Sequence, residues 1–73
     1  MRRKHKAMPT PVRQISGCKV GFYYYSDEAT ARRAAKIARY NGAIDAERGY
    51  DFGYRMPGEL NETPEGLWQV VTR

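Results

Sequence analysis

Three short stretches of the chain have the apolar content or the two-residue spacing that favours β-strands. Residues 19–25 are rich in aromatic and β-branched side chains, residues 50–56 alternate cleanly, and residues 67–72 form the last apolar run. Pro57 and Gly58 stop the second stretch, because proline cannot donate to a sheet ladder and glycine favours turns. The pattern therefore predicts three strands.

The first predicted strand carries aromatic side chains on both faces. Alternation separates two sets along it, with Val20, Phe22 and Tyr24 on one side and Lys19, Tyr23 and Tyr25 on the other. We expect the first set to face the core, and Tyr23 and Tyr25 to lie on a face that the rest of the chain leaves uncovered. Tyr50, at the start of the second predicted strand, is the third aromatic candidate for partner binding.

Residues 26–42 repeat small apolar side chains with the spacing of an α-helix. Ser26 is the predicted N-cap, and Asn41 and Gly42 supply the left-handed residue that ends a helix. The apolar stripe consists mostly of alanines, namely Ala31, Ala34, Ala35, Ile37 and Ala38. Because alanine is small, we expect this helix to approach a sheet closely and the strands to supply the large core side chains.

Together these elements predict an α+β domain in the order βαββ, with one helix packed on one face of a three-stranded sheet. The last two strands form an antiparallel hairpin with a long loop. Since one helix covers one face, the other face would expose aromatic side chains, which usually marks an interaction site. We expect a partner protein to bind there, or a second copy of the chain to form a homodimer.

The net charge of +5 arises within the first sixteen residues, because basic and acidic residues cancel over the rest of the chain. This divides the chain into a flexible basic tail, residues 1–16, and a folded domain, residues 17–73. Cations in the tail and on the polar side of the helix attract phosphates by releasing counterions. The candidate nucleic-acid contacts are Arg2, Arg3, Lys4, Lys6, Arg13, Arg32, Lys36 and Arg39, with Arg33 and Tyr40 beside them. The alternative is that the tail binds nothing and the helix arginines only favour helix formation.

No set of catalytic or metal-binding residues stands out in the sequence. The single histidine, His5, lies in the predicted tail, and the single cysteine, Cys18, has no histidine near it. One cysteine and one histidine cannot complete a zinc site, and the glycines lack the spacing of a phosphate-binding loop. The sequence predicts a non-enzymatic, cytoplasmic protein that needs no metal and no cofactor, without an apolar run long enough to span a bilayer.

Residues 48–54, Arg-Gly-Tyr-Asp-Phe-Gly-Tyr, are similar to the central strand of RNA-recognition-motif domains. In that family outward aromatics stack on bases, which implies stacking at Tyr50 and Phe52. The match departs at Asp51, where the family has a small residue, and at Gly53 and Arg55, where it has apolar ones.

Two further resemblances concern the whole chain. A strand, an Ala/Arg-rich helix opened by Ser-Asp-Glu, and two strands with a late Trp-x-Val resemble sporulation-related repeat (SPOR) domains, which bind septal peptidoglycan. Size and Arg, Ala, Gly and Tyr usage resemble the small basic open reading frames of actinobacterial bacteriophages. The second resemblance implies binding to a host protein or to a nucleic-acid process.

The sequence thus favours a small binding module, a phage or accessory protein, that contacts a partner protein through Tyr23, Tyr25 and Tyr50. The alternative is a nucleic-acid-binding protein that uses the basic tail and the basic side of the helix.

Overall fold

The computed structural model describes residues 3–53 and 55–72. Five elements form over these residues: β1 (Arg13–Ser16), β2 (Gly21–Tyr25), α1 (Glu28–Glu47), β3 (Leu60–Glu62) and β4 (Trp68–Thr72). The strands make one sheet in the order β1-β2-β4-β3, and every neighbouring pair is antiparallel. The α+β class is confirmed, but the sheet has four strands rather than three, and the element order is ββαββ.

The additional strand lies in the stretch that the charge pattern assigned to the tail. β1 pairs with β2 along its length, with Arg13 opposite Tyr24. The Gly17 amide donates to the Val20 carbonyl at 2.7 Å and closes the tight turn between the two strands. Treating the whole of residues 1–16 as disordered is therefore wrong, because a strand partner only a turn away in sequence outweighs the effect of a few positive charges.

The second predicted strand, residues 50–56, does not join the sheet over its described residues. The Asp51 carboxylate accepts a hydrogen bond from the Gly53 amide at 2.8 Å, and Gly53 has a φ of +69°. These two residues turn the chain away from extended geometry. Phe52 is consequently buried by a loop, and β3 occupies the edge beside β4 instead.

α1 is longer than predicted and has a different N-cap. The Asp27 carboxylate, not Ser26, accepts hydrogen bonds from the Thr30 amide and hydroxyl, each at 2.8 Å. Both bonds hold the pKa of Asp27 below its ordinary value. The helix continues through Gly42 for more than one turn, because this glycine serves a close approach rather than a helix end. A Cβ on Gly42 would lie 2.6 Å from Cγ of Pro57.

The core lies between α1 and the β2–β4 pair. Its fully buried side chains are Tyr25, Val70 and four alanines of α1, namely Ala31, Ala34, Ala35 and Ala38. Tyr25 is 2% exposed, and Tyr23 packs against the same cluster, so both point toward the helix. The predicted faces of β2 are therefore reversed. Alternation alone cannot choose between two aromatic faces, and the flat alanine surface leaves room for a tyrosine ring.

Arginines of the same chain lie over two aromatic rings on the outward face of the sheet. The guanidinium carbon of Arg13 lies 4.6 Å from the ring centroid of Tyr24, and that of Arg55 lies 5.4 Å from the centroid of Phe22. Gln69 donates to the Tyr24 hydroxyl at 3.0 Å. This face is therefore not a continuous aromatic patch. Among the described residues the large exposed apolar side chains are Val12, Ile15 and Met56.

Candidate nucleic-acid interface

The N-terminal segment, residues 3–12, has no helix or strand, yet helix side chains hold it against one flank of α1. The Lys6 amide donates to Oδ1 of Asn41 at 2.8 Å, and Nδ2 of Asn41 donates to the Lys6 carbonyl at 2.9 Å. One turn further along, Nε2 of His5 lies 2.8 Å from Oδ1 of the buried Asp45. The described part of the N-terminal segment, with Lys6 in it, therefore has a defined place on the domain.

Tyr25 anchors the same segment from the core. Its hydroxyl donates to the Pro9 carbonyl at 2.9 Å. Burial raises the pKa of Tyr25 to about 12, with a smaller contribution from Tyr23. The hydroxyl thus stays protonated and keeps donating well into the alkaline range.

Docking of the segment gathers cations around an aromatic ring of α1. The ammonium of Lys6 lies 4.5 Å from the ring centroid of Tyr40, and the guanidinium carbon of Arg3 lies 5.8 Å from it. Arg33 and Lys36 precede Tyr40 by seven and four residues, which places them on the same side of the helix. Arg3, Lys6, Arg33, Lys36 and Tyr40 are referred to below as the basic cluster.

Three of the four cations in the basic cluster make no ion pair with the described residues. Among the described residues, no carboxylate oxygen lies within 4.0 Å of the charged groups of Lys6, Arg33 or Lys36. Arg3 is paired with Glu47, and this hydrogen bond and charge raise the pKa of Arg3. Three cluster cations therefore remain available to an external anion.

The structure separates the cations predicted to contact nucleic acid. Arg3, Lys6 and Lys36 belong to the basic cluster, and Lys4 is exposed beside its N-terminal members. Three others have partners within the chain: Arg32 donates to Glu28 at 2.8 Å, Arg39 donates to the Gly58 carbonyl at 3.0 Å, and Arg13 pairs with Glu65. Arg2 lies outside the described residues. The predicted basic side of the helix is thus partly neutralised within the chain.

A groove of about 480 Å³ opens next to the basic cluster, between the N-terminal segment, α1 and one end of the sheet. Gln14 of β1, Tyr23 of β2 and Thr72 of β4 line its sheet side. Asn41 and Asp45 line its helix side, and His5 and Lys6 line it from the segment. Lys6 is therefore common to the groove and the basic cluster.

The three tyrosines predicted to bind a partner do not form one exposed face. Tyr25 is in the core, and Tyr23 lines the groove. Tyr50 donates to the Lys19 carbonyl at 3.3 Å, and its ring lies 4.7 Å from that of Phe52. The stacking implied by the RNA-recognition-motif resemblance needs outward rings on a strand, whereas Phe52 is 8% exposed in a loop.

The described residues contain no group of three or more His, Cys, Asp and Glu that could hold a metal ion. Cys18 is exposed in the turn between β1 and β2. In the loop after α1, the Gly53 amide and the Lys19 ammonium hold the pKa of Asp51 below its ordinary value. Over residues 3–53 and 55–72, no helix is both long and apolar enough to cross a membrane.

Comparison with known proteins finds no matching family model, no matching curated protein and no matching solved structure. The resemblances drawn from the sequence therefore stay predictions. The interpretation of the site depends on its geometry.

The groove and the anchor that forms it are candidate features of the site that the sequence did not predict. The sequence pattern predicts Asn41 as a helix-ending residue, whereas its side chain holds Lys6, 35 positions away. Gln14 and Thr72 carried no signal of their own, since they reach one groove only after β1 and β4 have joined the sheet.

Proposed function

We propose that this chain is a non-enzymatic nucleic-acid-binding protein whose contact surface is the basic cluster. The observation that carries the proposal is the docking of the N-terminal segment on α1, which places Lys6 and Arg3 around Tyr40 beside Arg33 and Lys36. Cations from two parts of the chain thereby form a single surface. Such a surface favours a polyanion over a single small anion.

The composition of the cluster fits a phosphate backbone with bases attached to it. Lysine and arginine contact phosphates and release condensed counterions, a gain that needs no sequence readout. Tyr40 is partly buried and retains an accessible ring between these cations. Aromatic rings set among cations are the usual means by which proteins hold unpaired bases.

The test uses two adjacent arginines as a matched pair. Arg33→Gln removes an unpaired cluster cation, whereas Arg32→Gln removes a cation that Glu28 already neutralises. Affinity for a fluorescently labelled oligonucleotide is measured by polarisation between about 50 mM and about 200 mM salt. We expect tight binding that weakens with salt, and a salt slope that falls by about 0.7 to 0.9 for Arg33→Gln and by clearly less for Arg32→Gln.

Equal effects of the two substitutions would contradict the assignment to the basic cluster. Absence of salt-dependent binding in the unmodified chain would remove the proposal altogether. Circular dichroism of both variants checks that the fold is intact, since both residues are exposed on α1.

The partner-protein prediction has one specific observation in its favour, at a different place from the one predicted. Val12, immediately before β1, and Ile15, within it, are 61% and 48% exposed, and β1 is an edge strand of the sheet. Exposed apolar residues on an open edge favour pairing with another strand. We propose this edge as the second candidate site. Ile15→Lys should abolish binding of a partner strand at this edge, and it should also abolish any self-association measured by sedimentation. The affinity for the oligonucleotide should not be reduced.

A further inference from the structure

We propose that the groove beside the basic cluster receives one unpaired base of a single-stranded nucleic acid whose phosphates lie on the cluster. This inference rests on the proposed function and adds the form of nucleic acid and the place where a base is held. The base would enter between the N-terminal segment and the end of the sheet. Its own phosphate would lie near Lys6, which belongs to both surfaces.

The first support is the hydrogen-bonding capacity that the groove keeps unused. Asn41 and Asp45 already bind Lys6 and His5, and so hold the wall of the groove in place. The side chains of Gln14, Tyr23 and Thr72, by contrast, make no hydrogen bond within the part of the chain that the structure describes. The three side chains that line this space therefore carry an amide and two hydroxyls, with both donors and acceptors available.

The second support is the match between these groups and a base. A glutamine amide offers a donor and an acceptor side by side, which pairs with the donor and acceptor edges of a base. The ring of Tyr23 is partly buried and lines the same space, so a planar ligand gains an aromatic contact. A volume of about 480 Å³ lies within the range of pockets that hold small organic groups.

The third support is the relation of the groove to the cluster. Lys6 places its ammonium 4.5 Å from the Tyr40 ring centroid and also lines the groove. A strand that follows the cations from Arg33 and Lys36 thus reaches the groove at Lys6. A base within a duplex stays stacked and paired and cannot enter a recess of this kind without being extruded. The arrangement accordingly selects single strands.

The experiment compares oligonucleotides that differ only in their bases. Labelled single strands, the same strands with abasic positions, and a duplex of equal length are titrated against the full chain at one salt concentration. DNA and RNA are both tested, and intact and abasic strands are compared for whichever of the two binds more tightly. We expect the intact strand to bind roughly tenfold more tightly than the abasic strand, the scale of one base–aromatic contact.

Two conservative substitutions assign the difference to the groove. Tyr23→Phe keeps the ring and removes the hydroxyl, and Gln14→Ala truncates an exposed strand residue; Asn61→Ala truncates an exposed residue of the outward face as the matched control. We expect the double variant Gln14→Ala/Tyr23→Phe to bind the intact strand severalfold more weakly and the abasic strand with unchanged affinity. Asn61→Ala should change neither affinity.

Equal affinity for intact and abasic strands, with salt dependence retained, would overturn the groove proposal and leave the function of the basic cluster standing. Duplex binding as tight as single-strand binding would overturn it as well. Loss of salt-dependent binding to every probe would instead overturn the proposed function. The two failures therefore have different signatures.

Discussion

The two flanks of α1 are held by opposite means. On one flank the loop of residues 57–58 approaches the helix backbone closely, with Pro57 against Gly42 and Gly58 beside Ala35. On the other flank the N-terminal segment is attached by side-chain hydrogen bonds from Asn41 and by a hydrogen bond between His5 and Asp45, and a groove remains beneath it.

This difference predicts that stability and the proposed binding depend on opposite flanks of one helix. A close approach of two backbones requires glycine and leaves no space at the point of contact, whereas polar attachment at a few points leaves space between the segment and the helix. Gly58 has a φ of +92°, and a Cβ there would also lie 3.0 Å from the Ala35 carbonyl. We therefore expect the tight flank to be sensitive in unfolding experiments and the polar flank to be sensitive in binding experiments.

The largest effect on unfolding is expected from Gly42→Ala on the tight flank. Alanine normally stabilises a helix interior by about 1 kcal/mol relative to glycine. Here the added Cβ would lie 2.6 Å and 2.8 Å from two carbons of the Pro57 ring, so the loop must move. Overpacking of this kind costs about 1 to 3 kcal/mol, so we expect a net loss of up to about 2 kcal/mol in urea unfolding.

Ala43→Gly is the control for this prediction, because Ala43 is exposed and reports helix propensity alone. It should lower the free energy of unfolding by about 1 kcal/mol. A Gly42→Ala variant that is more stable than the unmodified chain would show that the flank is not tightly packed.

The second prediction concerns the hydroxyl that ties the N-terminal segment to the core. Tyr25→Phe removes the donor to the Pro9 carbonyl, and we expect a loss of about 1 kcal/mol near neutral pH. The pKa of Tyr25 is raised to about 12 in the folded state, so the folded state binds the proton more tightly than the unfolded state does. This part of the stability is complete below about pH 10 and is lost as the pH rises toward about 12.

The phenylalanine variant lacks that titration. The stability difference between the two proteins should therefore shrink as the pH rises through this range. A difference that stays constant to about pH 12 would contradict the burial argument.

Local features of the fold were predictable from the sequence, whereas the faces of its elements were not. The alanine stripe of α1 identified the helix because a 3.6-residue period is repeated within one segment. β2 was also located, yet both of its faces are aromatic, so only the packed helix decides that Tyr25 is inside. Residues 50–56 alternate like a strand, but the turn at Asp51 and Gly53 removes them from the sheet.

The candidate site was predictable only in part, for the same reason. Lys6 and Lys36 were identified as cations from composition and spacing, and the pairing of Arg32 with Glu28 lies within one helical turn. The attachment of Lys6 to Asn41 and the pairing of Arg13 with Glu65 join residues 35 and 52 positions apart. Such contacts depend on the completed fold, which no local pattern encodes.

The third prediction tests the polar flank at its anchor. Asn41→Ala removes both hydrogen bonds to the Lys6 backbone, and we expect a loss of about 0.5 kcal/mol, since water replaces much of a partly exposed pair. Its main effect should be local: faster hydrogen exchange at the Lys6 amide and weaker oligonucleotide binding. Unchanged exchange at Lys6 would show that Asn41 does not hold the segment.

The smallest effect on stability is expected from Arg3→Gln, although Arg3 makes an ion pair on the same flank. The pair with Glu47 is exposed on both sides, so solvent and salt screen it, and the free energy of unfolding should stay within measurement error. Oligonucleotide affinity should nonetheless fall, because a phosphate competes for the same guanidinium.

If the segment is held by Asn41 and Tyr25 rather than by charge, raising salt from about 50 mM to about 200 mM should release the nucleic acid without changing hydrogen exchange at the Lys6 amide. If salt accelerated this exchange in the unmodified chain, charge would hold the segment on α1. The contacts that attach the segment could then not be separated from the charges that bind nucleic acid.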